Sequence, residues 1–226
     1  MAQNMKNQSN EANEAVGQVV SKAELFLEAN KKKITFTTVA VVVVVAVVLL
    51  FNQFYTKPLK AEAEAQTFVA EQYFRADNFE AALSGDGNAL GFRQVIEEYG
   101  RKAGAAVYMY AGICELRLGN YDAAIGYLSD YNGDDPILKA RALCCIGDAY
   151  TGLENYEKAV RFYLDAANVI DNDFVAGYLL KAGIIYEEMG RPMDALKQYE
   201  TIRDQYTNTY EGREITKYIT RIKVAE

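Results

Sequence analysis

The sequence predicts an all-α protein, in which one membrane-spanning helix near the N-terminus precedes a right-handed α-solenoid of about four helix pairs with a C-terminal capping helix. Two observations predict this architecture. Residues 34–56 form an uncharged, largely apolar run of 23 residues, and about 20 such residues cross the hydrocarbon core of a bilayer as a helix. After residue 60, glycine, alanine and tyrosine recur with a long fixed period, which is typical of stacked helical repeats.

Residues 1–33 form a polar leader that we expect on the cytoplasmic side. Its first ten residues are rich in Asn, Gln and Ser, a composition typical of disorder. Residues 11–33 can form an amphipathic helix with one apolar stripe. The stripe consists of Ala12, Val16, Val19 or Val20, Ala23, and Phe26 or Leu27. Two interpretations stay open: a helix that lies on a membrane or a partner, and a solvated, partly helical leader.

Residues 34–55 are predicted to be a transmembrane helix. Their many valines suggest a strand by propensity, but in lipid the backbone must satisfy its hydrogen bonds within the segment. The lysines 31–33 precede the run, whereas Lys57 and Lys60 on the far side are followed by Glu62 and Glu64. The positive-inside rule therefore places the N-terminus in the cytoplasm and the C-terminal domain across the membrane.

A cleaved signal peptide is the alternative to an anchor. An A-x-A pattern occurs at residues 61–63, about ten residues beyond the apolar run. That run is longer than the ~7–15 apolar residues of a signal peptide, and the polar leader is longer than a usual n-region. An uncleaved anchor is therefore favoured.

Three in-register copies of one pattern follow the span. The glycines and alanines that recur are Gly112, Gly147 and Gly183, and Ala124, Ala159 and Ala195. Each set advances by 35 and then 36 residues. Small residues at helical spacing suit places where two helices approach closely, and the neighbouring tyrosines fill the space around them. An unrelated helical bundle with coincidental spacing is disfavoured by the three copies.

Within residues 142–170 the order is Gly-x-x-Tyr, then Asn-Tyr-x-x-Ala, then Tyr-x-x-Ala. This order resembles the tetratricopeptide repeat (TPR), a helix-turn-helix unit of about 34 residues. The predicted solenoid spans 61–226, with a divergent repeat at 61–100, regular repeats at about 105–138, 139–174 and 175–210, and a capping helix at 211–225. A loop at 85–88 interrupts the first repeat and lacks the acidic ligands of a calcium loop.

The composition argues against catalysis. There is no histidine, so the commonest general base and neutral metal ligand is missing. The net charge is −7, without the basic patch that nucleic acids require. Cys114, Cys144 and Cys145 form no CxxC pair and are interpreted as small buried hydrophobes, although a disulfide from Cys114 to either of the others stays open in an oxidising compartment. We therefore expect no enzyme activity, cofactor, metal or small-molecule substrate.

The TPR resemblance implies a concave groove that binds protein segments and is lined by the first helix of each repeat. The implied groove residues are Phe74, Met109, Ile113, Arg117, Arg141, Cys144, Leu180 and Ile184. The Lys/Asn clamp of the chaperone-binding members is absent at the corresponding positions. For Met109, Ile113, Leu180 and Ile184, packing against the next repeat is the open alternative to ligand contact.

The order of short leader, lysine triplet, single span and repeats resembles the YfgM-type ancillary subunit of the bacterial Sec translocon. This resemblance implies a single-pass inner-membrane protein with its repeats in the periplasm. The implied partners are translocase or chaperone subunits and unfolded chain segments. The alternatives are a TPR adaptor in envelope assembly or stress signalling, and a non-catalytic regulator of a membrane enzyme.

Overall fold

The computed structural model describes the backbone of residues 2–225 and the side chains of residues 27–224. The chain divides into two units, Met1–Pro58 and Leu59–Glu226, and each is described by itself. The apolar stripe predicted between residues 12 and 26 lies outside the described side chains.

The first unit contains helix α1 (Ala2–Phe51), followed by a π-helical turn at Asn52–Thr56. Residues 2–10, part of the segment that we expected to be disordered, start this helix, and they hold no glycine or proline that would break it. In the helical segment that starts at Leu27, one window of 18 residues has a mean hydropathy of 2.9. None of that window is buried. By length and composition, this helix can cross a membrane.

The second unit is helical throughout, and residues 2–225 contain no strand. Its helices are α2 (Lys57–Arg75), α3 (Phe79–Ser84), α4 (Phe92–Tyr99), α5 (Ala105–Arg117), α6 (Tyr121–Ser129), α7 (Pro136–Gly152), α8 (Tyr156–Ala167), α9 (Phe174–Glu188), α10 (Pro192–Gln205), α11 (Tyr210–Glu214) and α12 (Thr216–Ala225). A 3₁₀ turn at Gly100–Ala103 joins α4 to α5. The predicted all-α fold class is confirmed.

The helices pack as successive pairs, which makes the unit a solenoid. Helix α5 packs on α6, α7 on α8, and α9 on α10, while α6–α7 and α8–α9 contacts join one pair to the next. Helices α5 and α7 also touch, and α12 covers α10 at the end. The buried apolar side chains form four clusters along this order rather than one central core, as expected for a stack in which each pair contacts its neighbours.

Both ends of the stack depart from the regular pattern. In the divergent first repeat, α3 has six residues and ends at Gly85, whose φ of +78° suits glycine. In the loop that follows, the carboxylate of Asp86 accepts backbone N–H bonds from Asn88 and Ala89 at 2.9 and 2.8 Å. The predicted capping helix is divided into α11 and α12 at Ile215, which is fully buried in the C-terminal cluster.

The turn inside each helix pair contains one residue in the left-handed region. Gly119 and Gly190 occupy it with φ of +81° and +69°, whereas Asp77 and Glu154 occupy it with φ of +55° and +56°. Residues with a Cβ are strained there. The turn geometry is therefore kept even where the sequence does not supply glycine.

The three recurring glycines lie at the closest contacts between paired helices. A Cβ added to Gly147 would lie 2.6 Å from the ring of Tyr163, and one on Gly183 would lie 2.2 Å from the ring of Tyr199. At Gly112, the added atom would lie 2.5 Å from Cγ of Leu128. No real Cβ atom tolerates such distances, so each pair depends on its glycine.

We predict that Gly147→Ala lowers the free energy of unfolding by about 1–3 kcal/mol, because the methyl group overpacks the contact with Tyr163. The matched control is Gly126→Ala on α6, where an added Cβ meets nothing within 4 Å. It should raise stability by about 0.5–1 kcal/mol through helix propensity. Urea unfolding of the full chain in detergent, followed by circular dichroism at about 222 nm, measures both. Equal stability of the two variants would contradict the proposed contact.

Candidate functional site

The eight side chains expected to line a groove do not form one surface. Met109 and Cys144 are only 6% exposed and pack inside apolar clusters. Ile113 is half-buried in the same cluster as Met109, and Leu180 is half-buried against the C-terminal cluster. At these positions the structure has packing between repeats, the alternative that the sequence left open. Ile184 remains at the surface, 37% exposed.

Two further residues of the set belong to an aromatic cluster at the start of the stack. The ring of Phe74 lies 4.9 Å from Tyr110 and 5.8 Å from Phe79, measured between centroids. The guanidinium of Arg117 lies over the Phe79 ring at 5.7 Å. Phe74 and Arg117 are thus engaged in contacts within the chain. Arg141 is exposed, and it forms no ion pair with any described residue.

Arg141 and Cys144 line the cavity that we take as the candidate site. Its volume is about 570 Å³, within the ~300–1,000 Å³ range of ligand pockets. Helices α7 and α9 form two of its sides, and residues 208–211, before and at the start of α11, form a third. The described lining includes Asp148, Asp173, Phe174, Tyr178, Lys181, Tyr210 and Glu211.

A polar network at the base of this cavity joins three helices. Nζ of Lys181 on α9 lies 2.6 and 2.7 Å from the two carboxylate oxygens of Asp148 on α7. The hydroxyl of Tyr163 on α8 donates to the same Asp148 at 2.7 Å and lies 3.0 Å from the Thr151 hydroxyl. Burial raises the pKa of Tyr163, and the Asp148 charge raises it further. The phenol therefore stays protonated and remains a donor to the carboxylate.

A second network of this kind lies at the end of the stack. The hydroxyl of Tyr199 donates to Glu187 at 2.6 Å, and the guanidinium of Arg221 on α12 donates to both oxygens of Glu187 at 2.7 and 2.9 Å. Tyr163 and Tyr199 occupy equivalent positions in successive repeats, and each also packs on a recurring glycine. These networks were not predicted from the sequence, because the acidic partners stand at different offsets from the glycines.

The three thiols are free and uncharged at neutral pH. Burial raises the pKa of Cys114 and of Cys144 to about 12, from an ordinary value of 9.0. Burial also raises the pKa of Cys145. Because the thiolate is the reactive form, these side chains are poor nucleophiles, and their packing agrees with the interpretation as small hydrophobes. Within the described side chains there is no group of three or more His, Cys, Asp or Glu residues that could hold a metal ion.

We predict that Cys114 and Cys144 are alkylated slowly by iodoacetamide in the folded full chain, and fully in urea. Their raised pKa keeps the thiolate fraction low at pH 7–9, so the rate should still be rising at pH 9. Mass spectrometry of peptides gives each rate separately. A raised thiol pKa also means that stability falls as pH rises above 9.0 towards 12. Rapid labelling of the folded protein at pH 7 would contradict the burial.

The stacked helix pairs define the class of this protein: a TPR-like α-solenoid. Residues 178–209 match the family model described as tetratricopeptide repeat. Two solved structures, "Crystal structure of MamA" and "Crystal structure of MamA protein", superpose with TM-scores of 0.51 and 0.52 at 18% identity. They cover 68% and 73% of this chain, and 92% and 90% of those chains. At this identity the likeness shows the fold alone.

A sequence relative is the "43 kDa receptor-associated protein of the synapse" from Gallus gallus. The aligned region of 97 residues is 31% identical, and the match covers 39% of this chain. The chain spans 23% of that relative's length. The rest of the relative has no counterpart in this match.

Proposed function

We propose that this chain is a membrane-anchored TPR scaffold that binds protein partners at the bacterial inner membrane. The observation that carries the proposal is the cavity between α7, α9 and residues 208–211, which offers an unpaired guanidinium and exposed aromatic rings on a rigid helical stack. Solenoids bind partners through extended surfaces of this kind. The lack of histidine and the protonated thiols favour binding over catalysis.

The membrane anchor in this proposal is the apolar part of α1. Its unburied window of mean hydropathy 2.9 supports insertion into lipid. The hydroxyls of Thr35 and Thr37 donate to the carbonyls of Lys31 and Lys33 at 2.8 and 2.9 Å, which satisfies polar groups at the start of the span. The lysine triplet supports an N-terminus in the cytoplasm and a repeat unit in the periplasm.

The partners that we propose are translocase or chaperone subunits and unfolded chain segments, in the manner of an ancillary Sec translocon subunit. The support is the order of leader, span and repeats. An adaptor in envelope assembly or stress signalling is the second candidate. A relative described as receptor-associated supports an adaptor role. A non-catalytic regulator of a membrane enzyme would use the same surface.

We predict that Arg141→Gln reduces partner capture from solubilised membranes about tenfold or more, because it removes an unpaired charged donor that lines the cavity. The matched control is Lys197→Gln, the same loss of charge at an exposed position of α10. Affinity purification followed by quantitative mass spectrometry measures both. Translocase or chaperone subunits among the captured proteins support the first candidate, whereas a stoichiometric metabolite supports an enzyme. Equal capture by both variants would show that the cavity is not the docking surface.

We also predict that a reporter active only in the cytoplasm is silent when it is fused after residue 226, and active when it is fused before residue 1. The reason is the charge bias across the span. A protease added to spheroplasts should digest residues 59–226 and leave the leader intact. Cytoplasmic activity of the C-terminal fusion would reverse the topology.

A further inference from the structure

Two unpaired carboxylates line the cavity next to exposed aromatic rings. Asp173 and Phe174 are adjacent at the start of α9, and Tyr210 and Glu211 are adjacent at the start of α11. All four line the same cavity. The cavity thus has two acid–aromatic pairs, contributed by segments that are far apart in the chain.

The two carboxylates are unpaired because neighbouring side chains accept the backbone hydrogen bonds at the two helix starts. The backbone N–H of Phe174 donates to the side chain of Asn172 at 2.9 Å, and that of Gly212 donates to the Thr209 hydroxyl at 2.9 Å. The side chains of Asp173 and Glu211 form no hydrogen bond or ion pair with a described residue. The helix starts therefore do not need these two charges.

Two other carboxylates of the stack, Glu115 and Asp148, are paired within the chain. Buried Glu115 binds Arg93 at 2.9 Å, and Asp148, at the base of the cavity, binds Lys181. With that pair neutral, Arg141 on α7 and the two free carboxylates remain. The charge left in the cavity is therefore negative, which complements a cation.

The aromatic rings of the cavity are unusually exposed. Between residues 59 and 224, three aromatic side chains are more than half exposed: Phe68, Phe174 and Tyr210, at 62, 56 and 70%. Two of these three line this cavity. An aromatic face beside a carboxylate suits a cationic side chain, since the ring quadrupole attracts the charge and the ring packs on the methylene stem.

We propose that the cavity captures a lysine or arginine side chain of an extended segment from a partner protein. The carboxylates of Asp173 and Glu211 pair with its charge, and the rings of Phe174 and Tyr210 flank its stem. Arg141 donates to main-chain carbonyls of the same segment. This inference rests on the proposed scaffold function, and names the chemistry that its cavity selects. The volume of about 570 Å³ holds one long side chain together with its backbone.

The test uses the full chain in nanodiscs of zwitterionic phosphatidylcholine, which has no net charge, so that lipid does not attract the probe. The probe is a fluorescein-labelled peptide of alternating alanine and lysine, and its twin carries glutamine in place of lysine. Fluorescence anisotropy should show that the lysine peptide binds about tenfold or more tightly than its twin. Equal binding of the two peptides would overturn the proposal.

The double variant Asp173→Asn with Glu211→Gln removes both charges and keeps the side-chain shapes. It should weaken binding of the lysine peptide about tenfold. The matched control, Glu97→Gln with Glu98→Gln, removes two exposed charges from α4, outside the cavity. An equal loss in the control would mean general electrostatic attraction and would overturn the proposal.

A second pair of variants tests the rings. Phe174→Leu with Tyr210→Leu keeps apolar bulk and removes both aromatic faces, so it should also weaken binding, with an unchanged melting temperature. Unchanged binding would overturn the role of the rings. Displacement of the lysine peptide by an equal charge concentration of spermidine would assign the cavity to free organic cations and overturn a polypeptide ligand.

Different experimental results would reject the scaffold function and the cation site. Capture of membrane partners that is lost in Arg141→Gln but unaffected by the Asp173/Glu211 double variant would leave the scaffold intact and reject the cation site. Charge-selective binding of the lysine peptide without any captured partner would retain the cation site and reject the scaffold.

Discussion

The contact between a glycine and a bulky side chain sets the distance between the helices of each regular pair. Gly112 faces Leu128, Gly147 faces Tyr163, and Gly183 faces Tyr199. In the last two pairs, the same tyrosine also reaches an acidic residue on the first helix through its hydroxyl. One side chain therefore fixes the spacing of the pair and anchors its polar network.

The first regular pair shows what happens without that hydroxyl. Leu128 cannot bond to an acid, and the buried Glu115 of this pair is held instead by Arg93 at 2.9 Å and by the side-chain amide of Asn120 at 2.8 Å. Breaking a buried pair leaves an uncompensated charge and costs about 3–5 kcal/mol. Each pair thus satisfies its acid, although the partners differ.

The fold could be predicted because its main signals are local and periodic. Glycine at Gly112, Gly147 and Gly183 marks the helix contacts, and the uncharged run marks the apolar helix. The departures from prediction lie where the period ends. Burial of Ile215 divides the predicted capping helix, which a stripe of apolar residues at helical spacing does not reveal. The predicted domain boundaries remain predictions.

The candidate site was less predictable because register alone does not show which face of a helix the next repeat covers. Met109 and Cys144 hold groove positions by register, yet the neighbouring repeats bury them. Phe174 and Tyr210 do not occupy the groove positions that the repeat register predicts. They come together in one cavity because α9 packs against α11.

The wall formed by residues 208–211 connects the cavity to α11, a helix of five residues. In a linear array of repeats each unit contacts only its neighbours, and segments with few contacts open locally while the rest stays folded. Local opening of α11 therefore opens the cavity without unfolding the array. A bound segment is linked to this equilibrium by mass action, so occupancy stabilises the packed position of α11. Ligand binding and the folding of this short helix are therefore coupled.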